Sequence, residues 1–132
     1  MVTGILLLVW NQGLFSLSPI VIGVQLLAVL LMIWARITFG RRSFHATASP
    51  TEGGLVTTGP YRYVRHPIYA SALLITWAGI LGNLSVVNVG FGLLTLGGAF
   101  ARIMSEEALV RVRYPEYDEY AKKTRRLIPF VF

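Results

Sequence analysis

Charged side chains are absent from residues 1–35 and again from residues 67–101. All 12 basic and all 6 acidic residues fall in two blocks, Arg36–Arg65 and Arg102–Arg126. A soluble domain spreads its charge along the chain to keep its surface wet. Two neutral, apolar stretches of this length, each ending in a basic block, instead fit helices that cross a bilayer and return their ends to one face. The opposite face then carries only short, uncharged connections.

Composition agrees with that constraint. The chain is 55% hydrophobic and 14% charged, with mean hydropathy +0.62, outside the range of an ordinary soluble domain. It has no cysteine, which excludes disulfides, thiol catalysis and cysteine-ligated zinc, and its two histidines make a histidine-rich metal site improbable. The net charge of +6 is concentrated beside apolar segments, so it suits anionic headgroups on the positive-inside face rather than nucleic acid.

Pro19–Ala35 is the clearest span. Only Gln25 breaks its apolarity, Arg36 closes it, and its 17 residues cover roughly 26 Å as a helix. Before it, the run Ile5–Trp10 stops at Asn11-Gln12-Gly13. Val2–Leu17 is therefore read as a first membrane helix, with a re-entrant piece as the alternative. Residues 41–59 form a loop rich in Gly, Ser, Thr and Pro, with Gly53-Gly54 at its middle. Ile68–Leu81 and Val86–Ala101 read as a helical hairpin around Gly82-Asn83-Leu84-Ser85, with Gly90, Gly92, Gly97 and Gly98 as a surface for close packing. From Arg102 an amphipathic helix continues to Val112, and Pro115 opens a short helix through Lys123. The run Lys122, Lys123, Arg125 and Arg126 with the apolar tail Leu127–Phe132 reads as an interfacial anchor. The expected fold is thus an all-α, polytopic membrane helix bundle of three to four spans, with an amphipathic C-terminal segment in the cytosol. It forms one domain over residues 1–132, divided at 1–40, 41–66, 67–101 and 102–132.

Chemistry concentrates at both ends of the hairpin. Gly59-Pro60-Tyr61-Arg62-Tyr63-Val64-Arg65-His66-Pro67-Ile68-Tyr69 places polar and aromatic residues at the mouth of the first arm, and Arg102, Glu106 and Glu107 stand at the exit of the second. Arg102 and Glu106 share a helix face, while Glu107 points about 100° away. The plain reading of Arg102–Glu106 is an ion pair at a helix end, and that of Arg65-His66 a snorkelling juxtamembrane pair. The alternative is a single cleft in which Glu106 holds a cationic or hydroxylated ligand and Arg102 an anionic one.

The ordered set Leu55-Val56-Thr57-Thr58-Gly59-Pro60-Tyr61, Arg65-His66-Pro67-Ile68-Tyr69, Arg102 with Glu106-Glu107, Tyr117-Asp118-Glu119-Tyr120 and Ile128-Pro129-Phe130 resembles the isoprenylcysteine carboxyl methyltransferase family. The membrane phospholipid N-methyltransferases share part of it. The resemblance covers about residues 50–132. It implies S-adenosylmethionine held on the cytosolic side by Leu55, Val56, Tyr61, His66, Pro67, Ile68, Tyr69 and Glu106, with Arg102 on the carboxylate of a lipophilic acceptor. It departs at Gly53, where eukaryotic members carry a histidine. At this length it also leaves room for a second protomer to complete a substrate tunnel. Carboxyl O-methylation leads; a phospholipid or other small lipophilic amine or thiol acceptor, with His66 or Glu107 as base, and a non-catalytic scaffold of the same fold are the alternatives. Expected partners are the acceptor and membrane lipids, without nucleic acid.

Overall fold

The computed structural model describes residues 1–39, 57–129 and 132. They form five α-helices and one 3-10 turn: α1 (Val2–Trp10), α2 (Pro19–Phe39), the turn Gly59–Arg62, α3 (Pro67–Gly82), α4 (Val86–Arg113) and α5 (Tyr117–Lys123). No strand occurs among the described residues, although Val64 and Arg125 make an isolated parallel bridge. The all-helical class is as the sequence implies.

Helix boundaries follow local chemistry. Pro19 and Pro67 open α2 and α3 where a missing N–H costs nothing. Ser85 caps α4, its hydroxyl accepting from the Asn88 amide. Pro115 ends the helical run and α5 starts two residues later. Helix α4 runs unbroken through residue 101, so the hairpin's second arm and the first C-terminal helix are one rod of 28 residues.

Helices α2 and α4 are each long and apolar enough to cross a bilayer. Both present exposed Leu and Val side chains, and little of α2 is buried, as expected of a helix whose solvent is lipid. At 16 residues α3 spans roughly 24 Å, short of a full hydrocarbon core. The nine residues of α1 cover roughly 14 Å, so this segment is a short helix packed on α4 and is not of spanning length. The Asn11-Gln12-Gly13 interruption ends it, with Gln12 at φ 55°.

Close packing explains the arrangement. Gly79 of α3 leaves room for the backbone of Leu14, where a Cβ would collide with the Leu14 carbonyl. Gly92 admits Ile80 and Trp77, and Gly98 lies against Met1, whereas Gly90 and Gly97 face open space. The four glycines of α4 therefore do not form one packing surface. Inside the apolar layer Gln25 donates to the carbonyls of Leu14 (2.8 Å) and Ile75 (3.1 Å), so this polar residue ties α2 to the incoming chain and to α3. At the neutral end Asn11 donates to Asn88 (2.7 Å) and Asn88 to the Asn83 carbonyl (2.7 Å), closing the turn between α3 and α4.

Phe39 at the end of α2 stacks on Tyr61 (5.4 Å) beside the start of α3, while Gly82 at the other end of α3 abuts Val21. Helices α2 and α3 are thus antiparallel. Helix α4 returns from the α3 turn to end beside the same charged segment. The described charged residues converge on one end of the molecule.

Candidate functional site

The site is built where the start of α3 meets the last third of α4. Four residues singled out from sequence come together there. The Tyr69 hydroxyl donates to Glu106 Oε1 (2.5 Å) and accepts from Arg102 Nε (2.5 Å); Arg102 Nε also reaches Glu106 Oε1 (3.2 Å). The His66 ring lies 5.9 Å from that of Tyr69, and its Nδ1 is 4.0 Å from Glu106 Oε2. The Arg102–Glu106 ion pair thus exists, inside α4 rather than at a helix end, with a tyrosine from the opposite arm inserted into it. Their side chains keep 35% and 23% of their surface, and His66 keeps 10%, so the cluster can meet a ligand.

Behind it lies a second cluster that sequence reasoning left in pieces. Glu107 is 3% exposed. Its Oε1 accepts from Arg65 Nε (3.0 Å) and lies 3.0 Å from His66 Nε2, while Oε2 accepts from Arg126 Nε (3.2 Å). Arg65 Nη1 is spent on the carbonyls of Ala121 (2.9 Å) and Thr124 (3.0 Å). Arg65 is therefore a buried strut and no snorkelling cation, because a carboxylate and two carbonyls replace its water. Arg126, grouped from sequence with the anchoring cations, is likewise taken by Glu107. A signal was available: the buried positions of α4 are Asn88, Gly92, Thr95, Ala99, Ile103 and Glu107, a helical rhythm that carries the inward face on to Glu107.

The His66 ring lies between the two glutamates, Nε2 on Glu107 Oε1 (3.0 Å) and Nδ1 facing Glu106 Oε2 (4.0 Å), so it joins the two clusters. The segment is clamped by backbone as well. Arg65 N donates to Arg125 O (2.7 Å), His66 N to Arg126 O (3.0 Å) and Arg125 N to Tyr63 O (3.1 Å). Tyr120 donates to the Tyr61 carbonyl (2.7 Å). Burial pushes the Tyr120 phenol up, opposed by Arg65; burial and the nearby Glu107 charge do the same to Tyr117. The Tyr117 hydroxyl is enclosed close to the Glu107 carboxylate but makes no hydrogen bond of normal geometry among the described residues.

Of the remaining expected site residues, Leu55 and Val56 lie outside the described residues, as does Gly53. Tyr61 is buried at 5% exposure with its ring on Phe39. Pro67 is buried at the first position of α3, and Ile68 beside it is half-buried.

A helical bundle with apolar outer surfaces, two helices of spanning length and a Tyr–Arg–Glu–His cluster at one end has the architecture of a membrane protein. Residues 21–111 match the isoprenylcysteine carboxyl methyltransferase (ICMT) family, and the chain belongs to it. That family is one of S-adenosylmethionine-dependent methyltransferases. Two apolar helices of spanning length, together with this membership, indicate a membrane protein. The chain is 32% identical over 128 residues to the nickel-cobalt-cadmium resistance protein NccN of Alcaligenes xylosoxydans xylosoxydans, covering 91% of this chain and 54% of that protein. It is 36% identical over 80 residues to the cobalt-zinc-cadmium resistance protein CzcN of Cupriavidus metallidurans, covering 57% of this chain and 35% of that one. The chain thus spans about half the length, or less, of these curated relatives. No solved structure matches it.

Proposed function

We propose that the chain is an S-adenosylmethionine-dependent methyltransferase acting on a lipophilic acceptor, with carboxyl O-methylation as the leading reaction. The observation that carries this reading is the Arg102–Tyr69–Glu106 cluster, assembled from both arms of the hairpin at the water-facing end of apolar helices.

The residues suit such a cofactor. A sulfonium nucleotide offers hydroxyls, an ammonium and a positive sulfur. Glu106 supplies a part-exposed carboxylate for the donors, and the rings of Tyr69 and His66 stand beside it. When bound, S-adenosylmethionine supplies the transferable methyl group. The protein's work is alignment and exclusion of water. An ionised carboxylate acceptor is already a nucleophile, so Arg102 need only orient it, using the planar fork suited to that anion. Glu107 fixes the His66 ring from behind, and His66 is the group available to take a proton should the acceptor be an amine or thiol. A greasy acceptor enters from the bilayer and the polar cofactor from the cytosolic side, to which we assign the charged end.

The resistance in the names of the two relatives belongs to those proteins. For this chain it motivates assay of membrane lipids from metal-stressed cells. Among the described residues no three His, Cys, Asp or Glu side chains gather as a metal-ligand group.

The test is calorimetric titration of S-adenosylhomocysteine into the full chain in detergent, beside radiolabelled methyl transfer into a membrane lipid extract. Wild type binds, and Glu106→Gln binds about tenfold more weakly or worse, the loss of a charge-assisted hydrogen bond. Alkali-labile label identifies an ester. Absence of binding by well-folded wild type removes the enzyme reading and leaves a scaffold.

A further inference from the structure

The short pairing of Val64 with Arg125 does more than clamp the site. It brings Arg62 and Tyr63 on one side of a depression opposite Lys122, Lys123 and Arg125 on the other, around a volume of about 130 Å³. That is room for several waters, at about 30 Å³ each, or for one tetrahedral oxyanion. Four of the five lining residues are cations. Among the described residues the acid that answers them is Glu119, through Lys122 (2.9 Å), and that pair is 71% and 70% exposed, so screening leaves it little weight. Arg125 spends one nitrogen on the Thr124 carbonyl (3.3 Å).

Backbone geometry sets this division of labour. Successive residues of an extended segment point to opposite sides, so Arg126 turns in to Glu107 while Arg125 turns out to the depression. The flanking backbone is held by three hydrogen bonds and by Tyr120 on the Tyr61 carbonyl. Cations gathered on so fixed a frame repel one another, and an anion between them relieves that repulsion. The depression opens at the charged end of the bundle, where Tyr63, Ile128 and Phe132 are 47%, 53% and 41% exposed, a mixture suited to headgroup depth. We propose that this depression binds the phosphodiester of an anionic phospholipid. It is separate from the Arg102–Tyr69–Glu106 cluster and does not depend on the methyltransferase reading.

The experiment is native mass spectrometry of the full chain in detergent, titrated with phosphatidylglycerol or phosphatidylcholine. A further arm adds glycerol 3-phosphate as a soluble competitor. Wild type is expected to prefer phosphatidylglycerol by about tenfold. Arg62→Glu combined with Arg125→Glu abolishes the preference, Arg62→Gln with Arg125→Gln reduces it, and Arg113→Glu, at the same end but outside the depression, leaves it intact. Circular dichroism and elution volume establish that each variant is folded. Equal loss in Arg113→Glu means a diffuse field and overturns the site. So does the absence of any lipid preference. Displacement of the lipid by an equal concentration of glycerol 3-phosphate overturns the assignment to a lipid.

Discussion

Glu107 holds Arg65, His66 and Arg126 with two oxygens in a place almost closed to water. A buried charge deprived of its partner is costly, because nothing solvates what remains. Glu107→Ala should therefore destabilise the protein by about 3 kcal/mol, the usual cost of breaking a buried pair. Thermal unfolding in detergent reads this, and a loss below a third of that figure would mean that water reaches the cluster. The neighbouring Tyr117 hydroxyl predicts the opposite sign. It is buried and unpaired among the described residues, so Tyr117→Phe should be neutral or stabilise by up to about 1 kcal/mol. A clear loss of stability would reveal a partner for that hydroxyl. Both residues were named from sequence, Glu107 as a possible base and Tyr117 in the Tyr117-Asp118-Glu119-Tyr120 motif. The helical rhythm of α4 pointed Glu107 inward, but its partners and the burial of Tyr117 were not visible there, since they depend on α5 and the tail folding back over α4.

Along α4, two glycines two residues apart meet different surroundings. A Cβ on Gly92 would strike Ile80, whereas one on Gly90 meets nothing within 4 Å. Gly92→Ala should then cost about 1–3 kcal/mol through overpacking. Gly90→Ala should be neutral or gain up to about 1 kcal/mol, since alanine is the better helix former. The two variants compared in one unfolding assay check the packing of α3 on α4; matching values would contradict it. Helix ends and the hairpin turn are legible in the sequence, because Pro19, Pro67, Ser85 and Pro115 act locally. Which glycine is a contact depends on the rotation of α4 about its axis.

The molecule as a whole is polarised, with neutral asparagines and serines at one end and the described charged residues at the other. The chain has no cysteine, so single substitutions can report sidedness directly. Leu84→Cys, in the α3–α4 turn, and Glu119→Cys, on α5, should be labelled by an impermeant maleimide from opposite faces of a sealed vesicle. Both residues are exposed, so labelling of both from the same face would exclude a hairpin that crosses the bilayer. The experiment also bears on α3, whose 16 residues cross only by local thinning or by help from its neighbours.

The amino-acid order alone determined that this chain is helical and apolar, that its charges fall in two blocks beside apolar stretches, and that Tyr69, Arg102 and Glu106 stand near the mouths of one hairpin. Those properties follow from period, composition and proline placement, which act over a few residues. The tertiary structure alone decided that Tyr69 completes the Arg102–Glu106 pair, that Arg65 is a buried strut and that the half-buried Arg126 also pairs with Glu107. It also decided that α1 is a short packed helix. Each of these turns on contacts between segments tens of residues apart, where desolvation and steric fit select one partner from many that local sequence permits.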